Sequence, residues 1–168
     1  MASEITLRPF DPVSDWQHLR DWLHQPHVMQ WWGDAEQEVQ GLLQRSPDRC
    51  AIIAVDGVPA GFLLWQPAPR DELEAAGLGD LPAGLVDIDI MFGEPEFIGR
   101  GAGPAALALL LDCLRADPAM SHAGVGTSLA NLRAISAFEK AGFRLYRRFD
   151  DPQAGPCQYM VRELRAQE

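Results

Sequence analysis

The sequence predicts a mixed α/β domain with seven strands and four helices. Short apolar runs typical of strands alternate with longer segments in which apolar residues recur every three or four positions. Asp56-Gly57 separates two apolar runs and is a strong signal for a tight hairpin. The second half follows the order β–α–β–α–β, which is typical of an α/β sheet. No repeat and no long interior linker divides the chain, so residues 1–168 are expected to form a single domain.

The first half begins with a strand and two helices. Residues 4–10 alternate apolar and polar side chains, which predicts a strand with one buried face. Ser14 followed by Gln17 resembles a capping box and predicts the start of a helix, and Asp34 can cap a second one. The hairpin of residues 50–66 comes next. The apolar faces of the two helices comprise Trp16, Leu19 and Leu23 in the first and Val39, Leu42 and Leu43 in the second.

The second half begins with an acidic segment and continues through alternating strands and helices. Residues 67–84 are rich in proline, glycine and acidic side chains. They predict a long mobile loop, and such loops in compact domains are usually functional or disordered. Gly142 predicts the end of the last helix. The remaining elements are strands at 85–92, 122–129, 143–149 and 157–164 and helices at 104–116 and 131–141.

The composition is that of an ordinary globular domain, with 168 residues, 47% hydrophobic and 23% charged. The net charge of −10 argues against nucleic acid as a partner and favours a cationic one. The first residues lack the pattern of a signal peptide and no apolar run could span a membrane, so a cytoplasmic protein without a membrane partner is expected. The three cysteines and four histidines lack ligand spacing, so neither a disulfide framework nor a metal is expected.

Three glycines stand at the start of a predicted helix. The first N–H groups of a helix have no partner within the helix. Gly99, Gly101 and Gly103 would let these groups converge on an anion, which the helix dipole also favours. Arg100 adds a positive charge beside them, so the pattern suggests a phosphate or pyrophosphate site. Glycines that only let a helix pack closely against a strand would give the same pattern. No Lys-Ser/Thr pair follows, so this is not a Walker loop.

Two segments of the second half together resemble the GNAT superfamily of acetyl-CoA-dependent N-acetyltransferases. They are GEPEFIGRGAG at 93–103 and NLRAISAFEKAGF at 131–143. The resemblance covers residues 85–145 and implies a mixed, mostly antiparallel twisted sheet of about seven strands with helices on both faces. It also implies acetyl-CoA as co-substrate, with its pyrophosphate in the glycine loop and its pantetheine arm beside the preceding strand. The implied cofactor-binding residues are Met91, Phe92, Gly93, Ile98, Gly99, Arg100, Gly101, Ala102, Gly103 and Asn131.

A closer resemblance, which includes the first half, is to the aminoglycoside 6′-N-acetyltransferases. It rests on DWLHQPHVMQWWGD at 21–34, on the acidic segment and on VDIDIMF at 86–92. In those enzymes a Trp-Trp pair lines the substrate side, and an aspartate before the glycine loop is the base or the anchor of the amine. The match assigns these roles to Trp32 and Asp89, although aromatic pairs are more often part of a core. Siderophore hydroxylysine acetyltransferases share part of this pattern.

Asp87 and Asp89 are two acids in an otherwise apolar strand. Residues two apart share a face of a strand, so these side chains are expected to point the same way, about 7 Å apart. Two buried acids are costly unless paired or functional, and the alternative is a solvent-exposed face. An amine attacks a thioester only when neutral, so Asp89 could accept its proton, directly or through water, or hold the ammonium. Asp89 is the expected catalytic residue, and the expected substrate site comprises Trp32, Glu72, Asp87 and Asp89.

Two positions depart from the GNAT pattern. Phe138 stands where many members have a tyrosine that is thought to protonate the departing thiolate, and Ile98 stands where glutamine or arginine is common. A coenzyme A thiolate is a good leaving group, so the first departure affects the acid step more than activity. Tyr146 and Tyr159 are the two tyrosines, and the sequence places neither hydroxyl near the sulfur.

Three functions fit these observations. The first is acetylation of a small polycationic amine, with an aminoglycoside as the leading candidate. The second is acetylation of another amine, such as a siderophore precursor, a polyamine or a protein N-terminus. The third is a non-catalytic acyl-CoA-binding module, which only Phe138 favours. The chain is expected to act as a monomer or a homodimer.

Overall fold

The computed structural model describes residues 2–165 and contains seven strands and six helices. The strands are β1 (Ile5–Pro9), β2 (Cys50–Val55), β3 (Val58–Pro67), β4 (Leu85–Phe92), β5 (His122–Ser128), β6 (Arg144–Asp151) and β7 (Gly155–Glu163). They form one sheet in the order β1-β2-β3-β4-β5-β7-β6. β4 and β5 are parallel, whereas the pairs β1–β2, β2–β3, β5–β7 and β6–β7 are antiparallel. The predicted mixed α/β fold is therefore confirmed.

Two helices were not predicted. The six helices are α1 (Trp16–Leu23), α2 (Pro26–Trp32), α3 (Ala35–Leu43), α4 (Arg70–Ala75), α5 (Ala102–Leu114) and α6 (Leu132–Lys140). α2 begins with Pro26, whose missing N–H is no loss in the first turn of a helix. α4 lies inside the segment that was predicted to be a loop, and that prediction was wrong for Arg70–Ala75.

An ion pair between a buried aspartate and a partly exposed arginine replaces the capping box that was predicted at Ser14. The residue before α1 is Asp15, and its side chain makes no capping hydrogen bond. Instead the carboxylate, only 3% exposed, accepts two hydrogen bonds from the Arg8 guanidinium at 2.7 and 2.9 Å. It also accepts one from the Asp11 N–H at 2.8 Å. The bond to Arg8 is the main reason why the pKa of Asp15 lies below its usual value. Asp15 therefore joins β1 to the start of α1.

Two local predictions in the first half are confirmed. Asp34 caps α3 by accepting a hydrogen bond from the Gln37 N–H at 2.9 Å. Asp56 and Gly57 connect β2 and β3 with φ angles of 50° and 80°. Positive φ at both central residues is the geometry of a type I′ turn, which matches the twist of a hairpin.

The first of two compact units comprises the residues up to Leu64 and Ile90–Ala106. Its core joins α1, α2 and α3 to β2, β3 and the end of β4. Apolar residues at helical spacing supply the helix side of this core, which is why the periodicity of the first half predicted α1 and α3. The buried members include Leu19, Trp22, Leu23, Val28, Val39, Ile52, Phe62 and Met91.

The second unit comprises Trp65–Asp89 and, among the described residues, 107–165. Its core includes Leu73, Leu78, Leu81, Leu85 and Tyr159. Three of these leucines come from the acidic segment, so residues 67–84 contribute to the packing of this unit.

Candidate active site

Strand β4 carries the two predicted carboxylates in its interior. Asp87 and Asp89 are half-buried, whereas Val86 and Ile88 on the opposite face are buried. The face that carries the two acids is therefore partly exposed to solvent. Asp87 stands opposite Gly124 in the parallel ladder of β4 and β5. The strand thus brings two acids close together in a partly desolvated place, where a positively charged group would be attracted strongly.

Tyr159 supports one of these carboxylates. Its hydroxyl donates a hydrogen bond to Asp87 Oδ1 at 2.8 Å, and its side chain is almost completely buried. Burial raises the pKa of Tyr159 far above its usual value, and the nearby charges of Asp87 and Asp89 raise it further. The phenol is therefore neutral and acts as a donor. Sequence reasoning did not find this contact, although glycines inside β5 are a known sign of close approach by another group.

Arginines of the second unit hold the acidic segment, residues 67–84, in place by hydrogen bonds. Arg70 donates to the carbonyl groups of Leu81 and Gly79, both at 2.7 Å. Asp80 accepts hydrogen bonds from Arg147 at 2.9 Å and from the Tyr146 hydroxyl at 2.7 Å.

These contacts change the charge balance of the segment. The bonds from Arg147 and then from Tyr146 lower the pKa of Asp80 to about 2. Because Arg147 compensates Asp80, the acidic field of the segment comes mainly from α4. That helix presents Asp71, Glu72 and Glu74 to solvent, and Glu72 is the member that was predicted to contact substrate.

The glycine loop has an open left-handed backbone before α5. Gly99 and Gly101 both have φ of 79°, a conformation that other L-residues adopt only with strain. A Cβ atom at either position would have no heavy atom within 4 Å, so the space beside them is open. Arg100 between them is exposed, and α5 begins at Ala102. The glycines are thus needed for backbone conformation and open space, and not for close packing against a strand.

The end of β4 is held rigidly within the first unit. The Gly93 N–H donates to the Ala60 carbonyl at 3.0 Å. The Nε2–H of His27 donates to the Phe92 carbonyl at 2.9 Å. A Cβ atom on Gly93 would lie 1.8 Å from Cγ of Trp22, so only glycine fits there.

The ring of Trp22 is itself fixed by a polar contact. Its indole N–H donates to Glu94 Oε1 at 3.0 Å, and the side chain is only 2% exposed. Strand β4 therefore ends at Phe92, as predicted, and Gly93 has a support that the sequence did not reveal.

The tryptophan pair lies in the last turn of α2, a helix that the sequence did not predict. Trp31 is exposed, whereas Trp32 is half-buried and packs against the core of the first unit. Part of the Trp32 ring therefore has a structural role.

Helix α6 begins and ends as predicted. The Asn131 side chain caps it by accepting a hydrogen bond from the Ala134 N–H at 3.2 Å, and Gly142 follows it with φ of 90°. Phe138 is buried and packs edge-to-face on Phe143, with ring centroids 6.1 Å apart. Ile98, the other departure from the GNAT pattern, is half-buried just before Gly99.

The part of the chain that the structure describes, residues 2–165, contains no group of three or more histidine, cysteine, aspartate or glutamate side chains that could hold a metal ion. None of its helices is both long and apolar enough to cross a lipid bilayer.

Comparison with known proteins places this geometry in a family. The profile of the acetyltransferase (GNAT) domain matches residues 11–151. The aminoglycoside N(6′)-acetyltransferase type 1 of Klebsiella pneumoniae is 28% identical, over 98% of this chain and 85% of the relative. A structure of AAC(6′)-Ib with paromomycin and acetyl-CoA has a TM-score of 0.77 at 26% identity, over 95% of this chain and 93% of that one. A structure of the same enzyme with coenzyme A and kanamycin has a TM-score of 0.77 at 27% identity, over 95% of both chains. The protein therefore belongs to the GNAT acetyltransferases and is an acetyl-CoA-dependent N-acetyltransferase.

Proposed function

We propose that the protein transfers the acetyl group of acetyl-CoA to the 6′-amine of an aminoglycoside. The observation that carries this proposal is the pair of half-buried carboxylates on β4, Asp87 and Asp89, one of which is held by a buried phenol. A site of this kind suits a substrate with several ammonium groups. The similarity to aminoglycoside acetyltransferases along nearly the whole chain supports the same substrate class.

Asp89 is the proposed base. The substrate enters as an ammonium and must lose a proton before its nitrogen can attack the thioester carbonyl. Asp89 accepts that proton, directly or through a water molecule, and general base catalysis of this kind typically contributes 10²–10⁴-fold in rate. The new C–N bond forms as the C–S bond breaks, and the coenzyme A thiolate leaves.

The glycine loop and the end of β4 are proposed to hold acetyl-CoA. The open space beside Gly99 and Gly101 gives an anion access to the N–H groups at the start of α5, and Arg100 adds a positive charge. The rigid strand end at Met91, Phe92 and Gly93 is proposed to lie beside the pantetheine arm. Ile98, Ala102, Gly103 and Asn131 complete the proposed set.

The departing thiolate needs little acid assistance in this proposal. Phe138 has no proton to donate and is buried against Phe143. The Tyr159 hydroxyl is already engaged with Asp87 and has a raised pKa, so it keeps its proton. The thiolate is therefore proposed to leave as the anion.

A pair of substrates that differ at one atom tests the proposal. Neomycin carries an amine at the 6′ position, whereas paromomycin carries a hydroxyl there. We expect steady-state turnover, followed with a thiol reagent, for neomycin and not for paromomycin. Turnover of both would place the reaction on another amine, and preference for a polyamine or a peptide N-terminus would reject the aminoglycoside. Absence of turnover with every amine would leave an acyl-CoA-binding module.

The base is tested with a charge-neutral isostere. Asp89→Asn should lower kcat/KM for neomycin by about 10²–10⁴-fold while coenzyme A binding survives. Asp71→Asn makes the same change of charge in α4 and is the matched control. A loss of less than about fivefold at Asp89 would show that this carboxylate does not take the proton, because even one hydrogen bond to a charged group contributes more.

A further inference from the structure

The contact between Tyr159 and Asp87 spans three neighbouring strands of the second unit. Tyr159 lies on β7, opposite Gly126 of β5, and Asp87 lies on β4, opposite Gly124 of β5. The phenol must therefore cross β5 to reach the carboxylate. It does so with a hydrogen bond of 2.8 Å and with its side chain almost completely buried.

Gly124 makes this crossing possible. A Cβ atom at that position would lie 2.2 Å from the Tyr159 hydroxyl oxygen and 2.5 Å from Cε1 of the ring. Distances this short do not occur between real atoms, so any side chain at 124 would displace the ring. A Cβ atom on Gly126 would lie 3.5 Å from the nearest ring atom, which is an ordinary contact. The position of the Tyr159 ring therefore requires glycine at 124 but not at 126.

A carboxylate fixed in this way binds a cation with less loss of freedom. An aspartate side chain that is mobile in the free protein must be ordered when substrate binds, and this reduces affinity. A neutral donor holds Asp87 in one orientation before substrate arrives. Asp89 is close enough for its charge to raise the pKa of Tyr159, so the phenol and the two carboxylates form one local cluster.

We propose that Tyr159 is a positioning residue that fixes Asp87 as a second anionic contact beside Asp89, and so makes the site selective for amines that carry a further positive charge. The inference rests on the proposed function, in which Asp89 takes the proton of the reacting amine. Asp87 then binds a neighbouring ammonium of the same substrate. A monoamine has no group for that contact and gains nothing from Tyr159.

A double-mutant cycle of Tyr159→Phe and Asp87→Asn tests whether the Tyr159 hydroxyl acts through Asp87. Tyr159→Phe keeps the ring and removes only the hydroxyl. We expect it to raise KM for neomycin about tenfold, the lower range for a hydrogen bond to a charged group. The kcat and KM for acetyl-CoA should change less than about twofold, because the phenol touches neither the thioester nor the glycine loop in this proposal. In a protein that already carries Asp87→Asn, Tyr159→Phe should have almost no effect on KM for neomycin.

Matched glycine variants provide a second route to the same contact. Gly124→Ala should displace the ring and reproduce the rise in KM for neomycin, whereas Gly126→Ala should behave like the wild type. KM for a monoamine such as ethanolamine should be indifferent to all of these changes. A purely structural role would instead lower the thermal midpoint and weaken acetyl-CoA binding together.

The outcomes separate this inference from the proposed function. If the wild type does not turn over neomycin, the proposed substrate is rejected, and the cycle is measured on the dissociation constant of spermidine by calorimetry. Coupling between Tyr159 and Asp87 would still support the positioning role. The positioning role would be overturned if Tyr159→Phe weakened substrate binding equally with Asp87 present or replaced. It would also be overturned if the change weakened the binding of a polyamine and of a monoamine equally.

Discussion

Replacing Gly101 by alanine should separate coenzyme A binding from backbone strain. Gly101 has φ of 79°, and Gly57 in the hairpin has φ of 80°. At both positions a Cβ atom would have no heavy atom within 4 Å. Alanine therefore introduces the same strain and no clash at either site, which makes Gly57→Ala a matched control. The left-handed conformation costs an L-residue about 1–2 kcal/mol.

The expected magnitudes follow from this strain and from ligand linkage. In a domain of this size 1 kcal/mol corresponds to about 2–4 °C in the thermal midpoint, so each variant should melt roughly 2–8 °C below wild type. Coenzyme A at 100 times its dissociation constant should stabilise the wild type by about 2.7 kcal/mol. A methyl group at 101 occupies the space proposed for the pyrophosphate. A tenfold loss of affinity there removes about 1.4 kcal/mol of that stabilisation.

Thermal melts with and without coenzyme A test whether the glycine loop binds the pyrophosphate. Both variants should melt lower than wild type without ligand, and only Gly101→Ala should show a smaller ligand-induced shift. If coenzyme A stabilises Gly101→Ala as much as Gly57→Ala, the glycine loop does not bind the pyrophosphate and the reasoning is wrong.

Three further predictions concern the strand end, the acidic segment and the missing tyrosine. Gly93→Ala would force a methyl group into the Trp22 ring, so it should destabilise the protein by about 1–3 kcal/mol in urea melts. It should also raise KM for acetyl-CoA. An unchanged urea midpoint would contradict this packing. Asp80 has a pKa lowered to about 2 in the folded state, so its contribution to stability is present above about pH 4 and is lost as the pH falls toward 2. Asp80→Asn should flatten the pH dependence of the urea midpoint over that range, and equal curves for Asp80→Asn and wild type would refute the Arg147 contact. Phe138→Tyr should change kcat less than about twofold, and a gain near tenfold would show that turnover is limited by proton delivery to the thiolate.

Predictions that depended on neighbouring residues in the sequence succeeded. The hairpin at Asp56-Gly57, the cap of α3 at Asp34 and the end of α6 at Gly142 all use turn chemistry that a few adjacent residues determine. The strand that carries Asp87 and Asp89 was also found, because every other residue of the segment 85–92 is apolar.

Predictions failed where a side chain is used in another contact and where a helix is very short. A capping box was expected at Ser14, but the neighbouring Asp15 binds Arg8 of β1 instead. α2 and α4 are 7 and 6 residues long, too short for helical periodicity to be recognised.

The supports of the candidate site were missed because their partners are distant in sequence. Tyr159 and Asp87 are 72 residues apart, and so are Trp22 and Glu94. No pattern within a window of sequence can reveal such pairs. Only the paired glycines of β5 hinted that another group passes close to that strand.

The narrow passage at Gly124 makes the role of Asp87 depend on residues outside its own strand. A side chain at 124 would displace the Tyr159 ring, because its Cβ atom would otherwise lie 2.2 Å from the hydroxyl oxygen. Substitution at either position, 124 or 159, would therefore remove the phenol as a donor to Asp87. A change on β7 can thus alter the role of a carboxylate that lies two strands away.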